Sequence, residues 1–423
     1  MANDSTLADA TKSLNSDGSV IQNQHDEIAP SLLTRLLLKP LQQLRHGRLL
    51  LRDCHGWQCE FGDPSSALSA EIHVRDERFY KAVMRGGSIG GAEAYMDGWW
   101  DSPDLTAVVR VLAANMAALD AIESQASPLK RLFLKLLHKF NSNSVTGSQR
   151  NIAHHYDLSN AFYQLFLDDT MMYSSGVYPH QGASLQQASE HKLKLLCDDL
   201  QLTADDHLLE IGTGWGGLAL FAAQHYGCQV TTTTISDAQY QFAKQRVEQS
   251  DVSDQITVLK QDYRQLEGQY SKIISIEMIE AVGYEHLSTF FKRCTSLLAD
   301  SGKMVLQAIT IADQREPSYR KNVDFIQRYI FPGGYLPSVA VLSDQAAKYS
   351  DMVIRQVRDI GIDYAQTLAD WRENFEAKLD QVEQLGFDER FIRMWRFYLC
   401  YCEGGFRERS ISTVQLTLDK PLR

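Results

Sequence analysis

The chain has 423 residues, 44% of them hydrophobic and 22% charged, with a formal net charge of −11. That length and composition belong to a globular protein of more than one domain, and the acidic balance excludes a general nucleic-acid binder, which needs Lys and Arg clustered against phosphates. Its 7 cysteines, odd in number and scattered from Cys54 to Cys402, exclude a secreted disulfide framework and favour a reducing cytoplasm.

Residues 1–30 are rich in Ser, Asp, Asn and Gln and have no apolar core, so they read as a disordered tail rather than a signal peptide. No apolar run approaches the length of a membrane span, so any contact with a bilayer is from the side. From Ser31 to Arg52 leucines alternate with Arg35, Lys39, Arg45, Arg48 and Arg52, and Pro40 interrupts the helical pattern. His55 lies near Cys54 and Cys59, but no second Cys/His pair follows at zinc-ligand spacing, and no metal site is expected. Glycines between Gly86 and Gly91 separate short helical stretches, Tyr95, Trp99 and Trp100 read as core, and Asp104 can cap the next helix. Residues 31–145 are therefore expected to form a small, mostly helical domain.

Its last helix starts at Ser127 and Pro128. Leu129, Leu132, Phe133, Leu136, Leu137 and Phe140 fall on one face, with Lys130, Arg131, Lys135, His138 and Lys139 on the other. Such a helix can lie on anionic lipid or simply pack on the next domain. Residues 141–148 read as a linker, with the second domain taken as 146–423.

In that second domain Leu208 to Leu220 reads as strand, glycine turn and helix, the pattern of a nucleotide-cofactor loop. Gly212, Gly214 and Gly217 fit a dinucleotide fingerprint; Gly212, Gly214 and Gly216 preceded by Glu210 fit an S-adenosylmethionine loop. A carboxylate beside the first glycine repels a pyrophosphate but favours an ammonium and a sulfonium, so the second fit is preferred. Beyond the loop, strands at Gln229 to Thr234, Ile256 to Gln261, Lys272 to Ile276 and Gly302 to Ile311 alternate with helices at Asp237 to Ser250 and His286 to Leu298. This predicts a mostly parallel sheet covered by helices, with ligands at the carboxyl ends of its strands.

Those ends carry the candidate residues. The second strand runs into Thr234, Ile235 and Ser236 without the acid that usually holds a ribose, and Thr234 and Gln239 can substitute. The third ends at Gln261 and Asp262, whose carboxylate could accept from an adenine amino group. The fourth runs into Glu277 and Glu280, two carboxylates on one turn beside the expected methyl donor. Residues 364–406 read as helices with aromatic and apolar faces, through Trp371, Phe375, Phe391, Trp395 and Tyr398.

Five segments in this order, 153–160, 172–175, 212–217, 329–334 and 402–406, resemble the cyclopropane-fatty-acyl-phospholipid synthase family, which includes the mycolic acid and plant cyclopropane synthases. The resemblance runs from the Gly86 region nearly to the C-terminus. It implies a Rossmann-like α/β sheet of the seven-stranded class I methyltransferase type with added helices. It also implies transfer of the sulfonium methyl of S-adenosylmethionine to a cis double bond of an unsaturated phospholipid chain, with a bound bicarbonate removing the proton that closes a ring. The enzyme would work at the inner face of the cytoplasmic membrane, and a homodimer would be compatible with it.

Carried over by position, Glu280 would orient the bicarbonate, Tyr364 would hydrogen-bond it, and Ile309 would offer a backbone contact. Tyr173, Ser174, Gly212, Gly214, Thr234 and Gln239 match donor-binding positions, which Glu210, Gly216, Ser236, Gln261 and Asp262 adjoin. Cys402 matches a cysteine near the site, although the mechanism needs no thiolate. Two residues depart from many bacterial members: Ser175 stands in place of cysteine and Gln307 in place of histidine, the latter shared with plant-type enzymes. A shifted base would let the same carbocation lose a different proton and give a methyl-branched chain. An NAD-linked dehydrogenase shares the glycine loop but is opposed by Glu210. An inactive lipid-surface binder shares the basic helix but is opposed by the intact Glu280, Tyr364 and glycine loop.

Overall fold

The computed structural model describes residues 32–116, 120 and 158–421. The tail, the basic segment 127–140, the linker and the motif residues 153–157 lie outside them. The chain divides into two compact units, Met1–Ser127 and Pro128–Arg423.

The first unit contains helices α1 (Leu32–Leu38), α2 (Arg78–Met96), which runs on through the glycines expected to separate short helices and has non-helical backbone at Gly87, and α3 (Leu105–Ala114), which Asp104 caps by accepting from the Ala107 amide. A sheet that the sequence reading did not foresee accompanies them: β1 (Arg48–Arg52), β2 (Gln58–Gly62), β3 (Ser69–Val74) and β4 (Trp100–Asp101), in the order β2-β1-β3-β4. Leu49, Leu50 and Leu51 of β1 are all buried, so the run of leucines that suggested a helix is a central strand apolar on both faces. Tyr95 and Trp100 are core, as expected, whereas Trp99 is only half-buried and has the Arg78 guanidinium 4.6 Å from its ring centroid. Asp53, Cys54 and His55 bring possible ligand atoms within 4.8 Å of one another, but Cys54 and His55 are exposed.

The second unit is built on a seven-stranded sheet whose order, β10-β11-β9-β8-β5-β6-β7, continues the strand numbering. Its strands are β5 (His207–Ile211), β6 (Gln229–Thr234), β7 (Ile256–Lys260), β8 (Tyr270–Ile276), β9 (Leu298–Ile311), β10 (Val353–Asp359) and β11 (Ile411–Asp419). The five strands from β7 to β9 in that order are parallel, and β11 and β10 add on antiparallel. Successive side chains of a strand face opposite ways, and the two cores follow that rule. Leu208, Ile274 and Val305 pack on one face with α4 (Leu185–Leu200), α5 (Gly217–Tyr226) and Val247 of α6 (Asp237–Glu248). Leu209, Ile273 and Leu306 pack on the other with α7 (Leu287–Leu297) and α8 (Val339–Tyr349).

This is the expected class I methyltransferase architecture. Helices α9 (Gly361–Glu376) and α10 (Glu389–Arg407) bury Trp371, Phe375 and Trp395 against Phe162 and Phe166. All 7 cysteines are free. Among the described residues no helix is long and apolar enough to cross a membrane.

Candidate functional site

The site forms where β5, β8 and β9 end. After β5 the backbone takes positive φ at Gly212 (107°), Gly214 (52°) and Gly216 (86°), a path that side chains with a Cβ resist, and α5 begins at once. Gly217 has a further requirement: a Cβ there would stand 2.5 Å from the Thr170 carbonyl oxygen and 3.1 Å from the Met172 sulfur. The loop thus packs directly on the segment that delivers Tyr173, Ser174 and Ser175.

Glu210, at the end of β5, is buried and accepts a 2.5 Å hydrogen bond from the Thr232 hydroxyl, which also meets the Thr213 hydroxyl at 2.7 Å. Burial pushes its pKa up to about 8, opposed by Thr232 and by Lys192. A cationic ligand would favour the ionised form, so the carboxylate suits the ammonium and sulfonium of the expected donor. Farther along the sheet the Thr234 hydroxyl donates to Gln239 Oε1 (2.9 Å), and Ser236 caps α6 by accepting from the Gln239 amide. The Gln261 carbonyl accepts from the Thr233 hydroxyl, while its side-chain amide turns to the Gln265 carbonyl (2.9 Å). Asp262 is buried but held by Arg264, whose guanidinium donates to both carboxylate oxygens (2.8 and 2.6 Å), so an adenine amino group would have to share it.

The two acids after β8 are held quite differently. Glu280 accepts from the Ile309 amide at 2.5 Å through Oε1, while its Oε2 is buried without a hydrogen-bond partner. Burial, and then the charge of Glu277, push its pKa up to about 8. Glu277 draws the donors. Its Oε1 accepts from the Ser175 amide (2.9 Å) and from Gln307 Nε2 (2.8 Å), and its Oε2 accepts from the Tyr364 hydroxyl (2.8 Å). Burial raises the Glu277 pKa too, and Gln307, the Ser175 amide, Lys192 and Tyr364 oppose that rise. Its φ is 47°, in the left-handed region, which costs a residue other than glycine about 1–2 kcal/mol.

The residues expected around an anion are hydrogen-bonded within the chain. Tyr364 bonds Glu277 rather than a group shared with Glu280, Gln307 and Ser175 turn to the same carboxylate, and the Ile309 amide is taken by Glu280. The Ser175 hydroxyl donates to the Gly176 carbonyl (2.8 Å). Three of the donors assigned to a bicarbonate thus hold a carboxylate of the chain itself. Cys402 lies on α10; burial pushes its thiol upward, so it has no thiolate to offer.

Two contributors were missed from sequence. Lys192 is fully buried on the apolar stripe of α4 between Ala188 and Leu196 and donates to the Ser174 hydroxyl (2.8 Å). Desolvation pulls its pKa down to about 8, while Glu277, Asp168 and Glu210 work to keep it charged. A lysine inside a buried stripe was the available signal. Gln415 of β11 is the other: its Nε2 donates to Gln307 Oε1 (2.9 Å), which leaves the Gln307 Nε2 to face Glu277.

Aromatic rings wall the site. Tyr173 lies 5.2 Å from Trp371, 5.2 Å from Tyr163 and 6.4 Å from Phe331 between ring centroids, and its hydroxyl meets that of Tyr398 at 2.9 Å. The Tyr364 ring packs 4.6 Å from Phe406. Such faces attract cations.

The family model for mycolic acid cyclopropane synthetase matches residues 143–416. The chain is 37% identical over 359 residues to tuberculostearic acid methyltransferase UfaA1 of Mycobacterium tuberculosis, covering 83% of each. It is 35% identical over 355 residues to the cyclopropane-fatty-acyl-phospholipid synthase of Escherichia coli K12, covering 83% of this chain and 88% of that one. Among solved structures it resembles the cyclopropane synthase MmaA2 from Mycobacterium tuberculosis (TM-score 0.61, 28% identity, 64% of this chain and 98% of that one). It is also similar to the mycolic acid cyclopropane synthase CmaA1 complexed with SAH and CTAB (TM-score 0.61, 31% identity, 64% and 98%).

Proposed function

The chain belongs to the mycolic acid cyclopropane synthetase family and is an S-adenosylmethionine-dependent methyltransferase of that type, and from this premise we propose that it methylates the cis double bond of unsaturated phospholipid acyl chains. Cyclopropane formation is the favoured outcome. The observation that carries this reading is the joining of a glycine loop to a pair of carboxylates inside an aromatic wall.

The donor supplies a methyl group made electrophilic by its positive sulfur. Glu210 and the backbone of Gly212, Gly214 and Gly216 would hold it, with Tyr173, Ser174, Thr234, Ser236, Gln239, Gln261 and Asp262 around it. An alkene is a weak nucleophile, and methylation leaves a positive charge on carbon. Stabilising that charge asks for a site from which water is excluded and where electron-rich faces are fixed in place. The Tyr173, Trp371 and Tyr398 rings supply the faces, and a hydrogen bond holds the Tyr173 and Tyr398 hydroxyls together. Tyr364, Gln307 and Ser175 hold a carboxyl group at the end of the same strand, and their hydrogen bonds favour its charged form over the neutral one. We place the reaction at the inner face of the cytoplasmic membrane, where its substrate lies.

A second reading, a methyl-branched product, is favoured by the likeness to a tuberculostearic acid methyltransferase. Ring and methylene branch both add one CH2, so mass alone does not separate them. Incubation with isotope-labelled donor and vesicles of unsaturated phospholipid, followed by proton NMR of the released acyl chains, distinguishes them. High-field protons on the labelled carbon in a ring are expected; alkene protons on the labelled carbon itself, distinct from those of unreacted chains, would favour the branch. Absence of label from every acyl chain would overturn both.

A further inference from the structure

We propose that Glu277 is the base of the reaction: its own carboxylate, rather than an anion taken from solution, accepts the proton that leaves the methylated acyl chain. This rests on the acyl-methylating function just proposed and concerns one step within it.

The hydrogen bonds point to this residue. The Ser175 amide, the Gln307 side-chain amide and the Tyr364 hydroxyl come from three separate parts of the chain and meet on one carboxylate. Gln307 cannot turn away, because its oxygen accepts from Gln415 on the neighbouring strand. A carboxylate has about four acceptor positions. Two on Oε1 and one on Oε2 are filled, which leaves the second position of Oε2 to take a proton.

The backbone agrees with the side chain. Glu277 holds the left-handed conformation at the end of β8, where its amide donates to the Gln307 carbonyl (2.8 Å). Strain of this kind persists only where the surroundings over-determine it, and it clusters at functional positions. The next residue, Met278, packs on the donor loop: a Cβ on Gly212 would lie 3.3 Å from the Met278 side chain. Glu277 thus precedes in the chain a residue that packs on the loop that would hold the methyl donor. A dissolved anion competing for this position would have to break all three hydrogen bonds and bring a second negative charge beside Glu277 and Glu280, with Lys192 as the buried cation among the described residues.

The step balances. The alkene π pair forms a bond to the methyl carbon, and the C–S bond breaks with its pair going to sulfur, which leaves a neutral thioether and a carbocation. A C–H bond of that cation then breaks. Its electron pair closes the ring, or forms a new double bond in the branched case, and the proton passes to Glu277 Oε2. Loss of that proton to water restores the carboxylate.

The test uses the full chain with S-adenosylmethionine and vesicles of unsaturated phosphatidylglycerol, in buffer freed of carbon dioxide, with and without added bicarbonate. Wild-type turnover should be the same in both buffers. Glu277→Gln should lose on the order of 100-fold or more in turnover while still binding S-adenosylhomocysteine, a loss typical for removal of a general base. Glu277→Gly removes the side chain and the backbone strain together, and bicarbonate or formate should restore part of its turnover. A wild type that needs added bicarbonate, or a Glu277→Gln variant with wild-type turnover, would overturn the assignment. Separately, a wild type that binds S-adenosylhomocysteine but modifies no unsaturated chain in either buffer would overturn the functional reading and the assignment with it.

Discussion

Glu277 and Glu280 share one turn, and their partners set them apart: three donors hold the first, while the second has the Ile309 amide and one buried oxygen without a partner. A carboxyl raised from 4.5 to about 8 keeps its proton in the folded protein over a range where the unfolded chain has lost it. The stability it lends is complete below the unfolded value and is lost as pH rises through the folded one. Without ligand, the melting temperature should therefore fall between about pH 5 and about pH 8.5, and it should fall less in Glu280→Gln. Parallel profiles for the two proteins would mean that Glu280 titrates as an ordinary surface acid. Glu210 contributes a similar fall, which the difference between wild type and variant removes. The positions of Glu280, Tyr364, Ser175, Gln307 and Ile309 were legible through motif resemblance, but their pairing was not. Which of two acids on a turn collects the donors depends on a backbone angle at Glu277 that no residue type announces. Lys192 was hidden for a different reason, since a lone lysine beside leucines usually reaches water.

At the level of elements, the parallel strands were legible because each is a short apolar run followed by a helix of amphipathic spacing. Strands β6 and β7 begin at the expected residues, Gln229 and Ile256. Strands β10 and β11 were missed. On β11 the polar residues Thr413, Gln415 and Thr417 are buried as fully as Val414, Leu416 and Leu418, so polarity does not mark its inner face. The four-stranded sheet of the first unit escaped notice because β1 is a short leucine run that could belong to either period. The junction of α5 with the Thr170–Met172 backbone offers a test. Gly217→Ala would push that backbone away, cost about 1–3 kcal/mol of stability, and shift Tyr173 and Ser174. Calorimetry should find weaker binding of S-adenosylhomocysteine together with a lower melting temperature. Unchanged affinity would mean that this close approach does not position the donor site.

For the molecule as a whole, a net charge of −11 opposes approach to an anionic bilayer, so docking needs a local basic surface. Lys130, Arg131, Lys135 and Lys139 supply one in the sequence. Replacing all four by Gln should weaken binding to anionic vesicles by about 1 kcal/mol for each charge removed, with most of the loss seen at low salt. Sedimentation with vesicles checks this, and unaltered binding would take the segment out of membrane docking. The strand order has a consequence for how the enzyme is made. Strand β11 is last in chain order yet is inserted between β9 and β10, and it carries the amide that orients Gln307. While residues 411–419 are still inside the ribosome, β9 has a bare edge and the side chains that serve Glu277 are incomplete. Translation thus passes through an interval in which the emerging polypeptide is inert and its open edge is prone to pair with neighbours, and that is when a chaperone would be most useful.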